Sequence, residues 1–270
     1  MVSPANSKSV TPEKASRGIQ SIEVGGRLLR ALVHLGRPAP LKDLAREAQM
    51  TPAKAHPYLV SFGKLGLIEQ DPGTGHYGLG PLALQVGLIS LQQVDPIRLA
   101  SAELPALARG IGQTVGIAIW GNRGPTFVRL EEGPTAVHVN MRHGTVVSVK
   151  GTASGRLFAA FMPRDEVAAA LRAESGRLRQ KADPAFEAEL ARVRQQRFAS
   201  ITDGTVAGIR ALAAPVFDGF GSMVLALTAI GPSATLEESA QGKAGRLLIA
   251  SAQALSIRLG ARPVSALHLA

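Results

Sequence analysis

Three groups of residues in this 270-residue chain have the types and spacing to do chemistry. The first is Gly151-Thr152-Ala153-Ser154-Gly155, a run of small residues leading into a predicted helix, Arg156 to Phe161. A loop of this kind at a helix start presents unpaired N–H groups and the positive end of the helix dipole, which together hold an anion. The second is Lys54 with His56. A lysine on a helix can meet a phosphate or a guanine, and a histidine can donate or accept at a base edge. The third group is catalytic, and it comes to little. Gly151-x-x-Ser154-Gly155 is not the G-x-S-x-G of a nucleophile elbow, and no G-x-x-x-x-G-K-[ST] occurs. His138 and His143 have no nearby carboxylate to complete a metal site. There is no cysteine, which excludes disulfides, zinc knuckles and cysteine nucleophiles. The expectation is a binding protein with no catalytic residue, no metal and no cofactor.

The elements that must position Lys54 and His56 can be read locally. Thr51 suits an N-cap and Pro52 the first helical position. Ala55, Tyr58, Leu59, Phe62 and Leu65 then repeat at three- and four-residue spacing, giving one apolar face, and Gly66 suits a left-handed terminator. Leu67 to Gln70 and His76 to Leu79, joined by a Pro/Gly-rich turn, read as a β-hairpin. Upstream, Ser21 can cap a helix from Ile22 to Leu35 with an apolar stripe of Ile22, Leu28, Leu29, Leu32 and Leu35, ended by Gly36-Arg37-Pro38. Leu41 to Ala48 is a short second helix, and Gln49-Met50 the turn into the third. Helix, helix, helix and hairpin make a winged helix-turn-helix, which places the start of the third helix in the major groove.

Pro81 to Val94 is apolar at helical spacing and all round, so it reads as a linker helix buried against a partner chain. After Asp95-Pro96 come a helix (Ile97 to Gly110) and strands at Thr114 to Trp120, Phe127 to Glu132 and Ala136 to Met141. The anion-binding loop and its helix follow, then helices at Asp165 to Glu174 and Pro184 to Arg197. Strands at Ala211 to Phe217 and Met223 to Ile230 and a helix from Leu236 to Leu259 complete the series. Hairpins with interspersed helices predict an α+β fold.

Several of these segments resemble the IclR family of bacterial transcriptional regulators. In the N-terminal part they are Ala53-Lys54-Ala55-His56, Tyr58-Leu59, Gly66 to Asp71, Thr74-Gly75 and Tyr77-Gly78-Leu79-Gly80. In the C-terminal part they are Gly151 to Arg156, Gly208 to Asp218 and Leu225 to Pro232, so the resemblance spans about residues 18–262. It implies a disordered tail (1–17), a winged helix-turn-helix (18–80), a linker helix (81–95), a GAF-like effector-binding domain with an antiparallel sheet flanked by helices (96–262), and a second tail (263–270). It implies a cytoplasmic homodimer or homotetramer that binds double-stranded operator DNA and responds to a small organic acid.

Under that resemblance the DNA-facing residues are Lys42, Thr51, Ala53, Lys54, His56 and Pro57, with His76 and Tyr77 on the wing. Pro57 departs from the family, where an arginine is expected. A helix-interior proline costs roughly 3 kcal/mol, so the expectation is a distorted recognition helix, weaker DNA binding or an altered operator. A second reading follows from it, a small-molecule sensor with weakened or lost DNA binding. For the effector, Ala153 and Ser154 match the positions whose backbone amides hold a carboxylate, Thr152 in the same loop belongs to the effector site, and Thr228 matches a polar pocket position. Ala211, Ile230 and Ile201 stand where relatives that bind oxoacids are more polar; Asp203 is a nearby acid, and Met141 and Val147 are apolar walls or ordinary core. The apolar set argues for a larger, less polar ligand, for example an aromatic acid.

Composition agrees with this. The net charge of +10 favours a polyanionic partner. Residues 1–64 hold ten Lys/Arg against four Asp/Glu, a net of +6, so the remaining 206 residues carry only +4. No apolar run approaches the length of a membrane span. The N-terminal stretch has no signal-peptide core.

Overall fold

The computed structural model describes residues 18–134, 141–176 and 183–262. Both expected tails, most of the strand expected at Ala136 to Met141, and His138 lie outside them. The chain divides into two units, residues 1–93 and 94–270.

In the first unit, α1 (Gln20–Leu35), α2 (Leu41–Glu47) and α3 (Pro52–Lys64) precede a hairpin of β1 (Ile68–Gln70) and β2 (Tyr77–Leu79), and α4 (Pro81–Gln93) follows. Leu28, Leu44, Ala45, Ala55, Leu59 and Ile68 are buried together at the centre. Helix α1 starts at Gln20, two residues before the expected start, and Ser21 makes no cap. Its buried face is Val24, Leu28, Ala31 and Leu32, and Ile22 is 70% exposed. At 3.6 residues per turn Ile22 points about 120° away from Leu28. Leu65, also expected inside, is exposed because the helix ends at Lys64 and Leu65 is its cap. Between α2 and α3 the chain turns through Gln49, whose φ is 56°. After α3, Gly66 takes φ 75°, the left-handed conformation that ends a helix without a Cβ clash. The wing turn is tied by Asp71, whose Oδ1 accepts from the Gly73 N–H at 2.9 Å, the Thr74 N–H at 2.6 Å and the Thr74 hydroxyl at 2.9 Å.

Helix α4 has no buried residue; Leu84, Val86, Leu88, Ile89 and Leu91 are each more than half exposed. This is the helix read above as apolar all round.

Among the described residues, the second unit is an antiparallel five-stranded sheet with helices on both faces. Its elements are α5 (Pro96–Ile111), β3 (Thr114–Gly121), β4 (Gly124–Glu131), α6 (Ala153–Phe161), α7 (Arg164–Ser175), α8 (Pro184–Gln196), β5 (Ala199–Thr202), β6 (Ile209–Phe217), β7 (Met223–Pro232) and α9 (Lys243–Arg258). The strand order is β4-β3-β7-β6-β5. The two faces follow from the period of two along each strand. Leu212, Ala214 and Val216 of β6, with Leu225, Leu227 and Ala229 of β7, pack into the core shared with α5 and α9. Each such leucine contributes roughly 1.5–3 kcal/mol by burial. The alternate residues, Ala211 and Ala213 of β6 and Ala226 and Ile230 of β7, belong to the core on the α6 side. Thr228 has the same parity.

Two expectations are corrected here. The sequence pattern predicts no element over the four residues that form strand β5. The last helix begins at Lys243, seven residues after Leu236. Leu236 is itself a buried core residue. Just beyond it, Glu238 accepts from the Ser200 hydroxyl at 3.2 Å and the Thr202 hydroxyl at 3.0 Å, which ties this stretch to the edge strand.

Candidate functional site

Helix α6 starts at Ala153, three residues earlier than the sequence suggested, because Thr152 is its N-cap. The Thr152 hydroxyl accepts from the Gly155 N–H at 3.0 Å and donates to the Ser148 carbonyl at 2.7 Å. The Arg156 N–H donates to the Thr152 carbonyl at 3.0 Å. That leaves the amides of Ala153 and Ser154, the first two of the helix, to face whatever occupies the space beyond. The turn is tight: a Cβ on Gly155 would lie 2.2 Å from the Ser148 carbonyl oxygen, so only glycine fits there.

Beyond the helix start lies a cavity of about 350 Å³, near the lower end of the 300–1,000 Å³ typical of small-ligand pockets. The strand register builds one side. Ile201 of β5 faces Ala211 of β6, which faces Ile230 of β7, so these three form a cross-strand row. Thr228 lies two residues before Ile230, on the same face. Its hydroxyl is 2.9 Å from that of Ser154, and both side chains are about 1% exposed. Phe127, Met141 and Val147 form an apolar wall, and the loop after β5 closes the remaining side with Gly204, Thr205 and Val206. That loop touches the helix-start loop backbone to backbone, since a Cβ on Gly204 would sit 2.3 Å from the Gly151 carbonyl oxygen. No described residue lining the cavity carries a charge.

Nine of the ten residues expected at the effector site therefore line one cavity: the helix start Thr152, Ala153 and Ser154, the row Ile201, Ala211 and Ile230, and Thr228, Met141 and Val147. Asp203 does not. Its backbone turns away at φ 55°, and its Oδ1 accepts from the Gly208 N–H at 2.6 Å, so it holds the covering loop instead. Sequence reasoning missed Phe127, Ile209 and the loop residues Gly204 to Val206. Two larger grooves in this unit, about 530 and 700 Å³, contain none of the expected residues.

In the first unit, Lys42, Thr51, Ala53, Lys54, His56 and Pro57 are all exposed. Thr51 caps α3, its hydroxyl accepting from the Lys54 N–H at 3.3 Å. The helix runs unbroken through Pro57, which corrects the expectation of a distorted recognition helix. Buried Ala55 and Leu59 anchor it from inside, and the carbonyl of Ala53, deprived of its usual donor by the proline, belongs to an exposed residue. His76 is half-buried. Tyr77 is a correction: it is 7% exposed, packs in the core, and pairs through its backbone with Ala39. On a three-residue strand with a buried-then-exposed pattern, its parity turns it inward.

Comparison with known proteins matches both units. The family described as the IclR helix-turn-helix domain matches residues 21–72, and that described as the bacterial transcriptional regulator IclR C-terminal domain matches residues 89–257. The chain is 30% identical over 220 residues to the glycerol operon regulatory protein of Streptomyces griseus, covering 80% of this chain and 86% of that one. Among solved structures it is similar to HmgR of Pseudomonas aeruginosa, with 37% identity, a TM-score of 0.82, and coverage of 91% of this chain and all of that one. The repressor BlcR of Agobacterium tumefaciens shares the fold at 20% identity, with a TM-score of 0.69 over 90% of this chain and all of that one. The chain belongs to the IclR family of bacterial transcriptional regulators, in which the helix-turn-helix domain binds DNA and the C-terminal domain senses a small-molecule effector.

Proposed function

We propose that this regulator senses a monoanionic carboxylic acid with an apolar body, such as an aromatic acid, in the cavity at the start of α6. The observation that carries this is the character of the lining. Two first-turn amides and a buried hydroxyl pair are the polar features at its helix end, and the rest is largely apolar with no charge among the described residues. Helix-start amides bind one carboxylate. A second carboxylate on the ligand would be buried without a partner, which is costly.

The first turns of α3 are the DNA-reading surface, with Lys54 and His56 as the side chains that reach phosphate or base edge and Lys42 a flanking phosphate contact. The chain works as a homodimer or homotetramer in the cytoplasm, and the exposed apolar side chains of α4 supply one contact between copies. It binds its effector without turning it over. The domains are a winged helix-turn-helix at 18–80, a linker helix at 81–95 and an effector-binding domain at 96–262.

The test is binding of the purified protein to its own upstream intergenic DNA, at two salt concentrations, with and without a panel of aromatic acids. Salt-sensitive binding that one acid shifts supports the reading; binding that no acid shifts counts against the ligand class. Pro57, which leaves the α3 surface without a cation at that position, favours a second reading, a sensor with weakened or lost DNA binding. Binding restored by Pro57→Arg would favour that one.

A further inference from the structure

The amides of Ala153 and Ser154 can hold an anion only if the turn before them, Ser148 to Thr152, keeps its shape. That turn is tied internally: the Gly151 N–H donates to the Ser148 hydroxyl oxygen at 2.8 Å, and the Thr152 hydroxyl donates to the Ser148 carbonyl at 2.7 Å. Ser148 is therefore the hub on which both residues preceding the helix depend. It is held in turn from outside the cavity. The Ser148 hydroxyl donates to one carboxylate oxygen of Glu174, and the Val149 N–H donates to the other at 2.9 Å.

Glu174 lies in the last turn of α7, twenty-six residues along the chain from Ser148. A carboxylate there sits at the negative end of the helix dipole, so α7 itself gives no reason for an acid at this position. Its carboxylate partners are the Ser148 hydroxyl and the Val149 amide, and it lines no part of the cavity.

We propose that Glu174 is a positioning residue for effector recognition: through Ser148 it sets the turn that aims the Ala153 and Ser154 amides at the ligand carboxylate. This rests on the reading of the cavity as a carboxylate site. It makes affinity for the acid depend on a residue that never touches it, on a helix outside the pocket wall.

The test uses the full chain, natural and as Glu174→Ala and Glu174→Gln, with benzoate and benzamide as probes that differ only in the anion. Calorimetry gives affinities, and hydrogen exchange reports the Gly151 and Gly155 amides, whose acceptors are the Ser148 and Thr152 hydroxyls. Glu174→Ala is expected to weaken benzoate roughly tenfold, as loss of a charge-assisted hydrogen-bond network implies. Benzamide affinity and the thermal midpoint should stay unchanged, and both glycine amides should exchange faster. Glu174→Gln keeps one acceptor and should fall between. Unchanged benzoate affinity, or equal weakening of both probes, overturns the proposal. Binding of neither probe by the natural chain refutes the aromatic-acid reading instead. The exchange arm then decides alone: faster exchange at Gly151 and Gly155 upholds the brace, and unchanged exchange overturns it.

Discussion

Ser154 and Thr228 stand 74 residues apart in sequence, on a helix start and a central strand, yet their hydroxyls meet at 2.9 Å inside the second unit. Each hydroxyl is the other's side-chain partner in an otherwise largely apolar environment, so removing one strands the other. Thr228→Val should destabilise the protein by roughly 1–3 kcal/mol, the range for an abandoned buried hydroxyl. Adding Ser154→Ala should recover part of that loss, because both polar groups are then gone. A double-mutant cycle in denaturant measures it; additive losses would show that the pair is not coupled.

Ala153 is the first residue of α6, where a proline fits a helix and removes one N–H. The preceding Thr152 is extended, at φ −133° and ψ 152°, as a residue before proline should be. Ala153→Pro should therefore weaken binding of an acid effector by about tenfold or more, the worth of one hydrogen bond to a charge. Circular dichroism should show the helix content retained.

Pro57→Arg restores a backbone donor and adds a cation to the exposed face of α3. Stability should rise by up to about 3 kcal/mol. The slope of log affinity for DNA against log salt should steepen by about 0.9, one extra phosphate contact. Filter binding at several salt concentrations reads the slope, and an unchanged slope would mean that position 57 faces away from the duplex.

Three carboxylates predict an acid limb to the stability curve. The Arg192 guanidinium, and after it Arg156, holds Glu189 below its ordinary value of 4.5. Lys150, and after it the Phe186 amide, lowers Asp183; the Thr74 amide and hydroxyl lower Asp71. Groups lowered in the folded state give stability that is complete above their unfolded pKa and lost as pH falls through the folded value. The thermal midpoint should thus fall below about pH 4.5. In Glu189→Gln it should fall less steeply, as followed by calorimetry between about pH 6 and 3.

Leu84, Leu88 and Leu91 share a face of α4 and are all more than half exposed. If copies associate there, Leu88→Glu should shift the sedimentation profile toward smaller species with the helix content unchanged. An unaltered profile would place the association elsewhere.

Much of this was legible in the sequence because the signals were local. Thr51, Pro52 and Gly66 bounded α3 by capping chemistry alone, and the parity of Ala211, Thr228 and Ile230 along their strands put them on one face. What escaped depended on contacts that the local residue pattern does not encode. Strand β5 is four residues long and is defined by its pairing with β6. Asp203 read as a pocket acid because it follows Ile201 by two, but the positive φ at Asp203 breaks the alternation. The family resemblance puts Tyr77 on the wing surface, whereas the backbone bridge to Ala39, thirty-eight positions earlier, draws it inward. Helix α6 extends back through Gly155 to Ala153 although glycine is a poor helix former, because close packing against Ser148 overrides that propensity.

The chargeless lining of the cavity has one more consequence. None of the described residues around it takes up or releases a proton between mildly acidic and mildly alkaline conditions. The lining itself then adds no proton-linked step to the binding curve of an acid, so any such step comes from the ligand or from groups outside the cavity. Comparing that curve with the acid's own titration would separate the ligand's ionisation from that of groups outside the pocket.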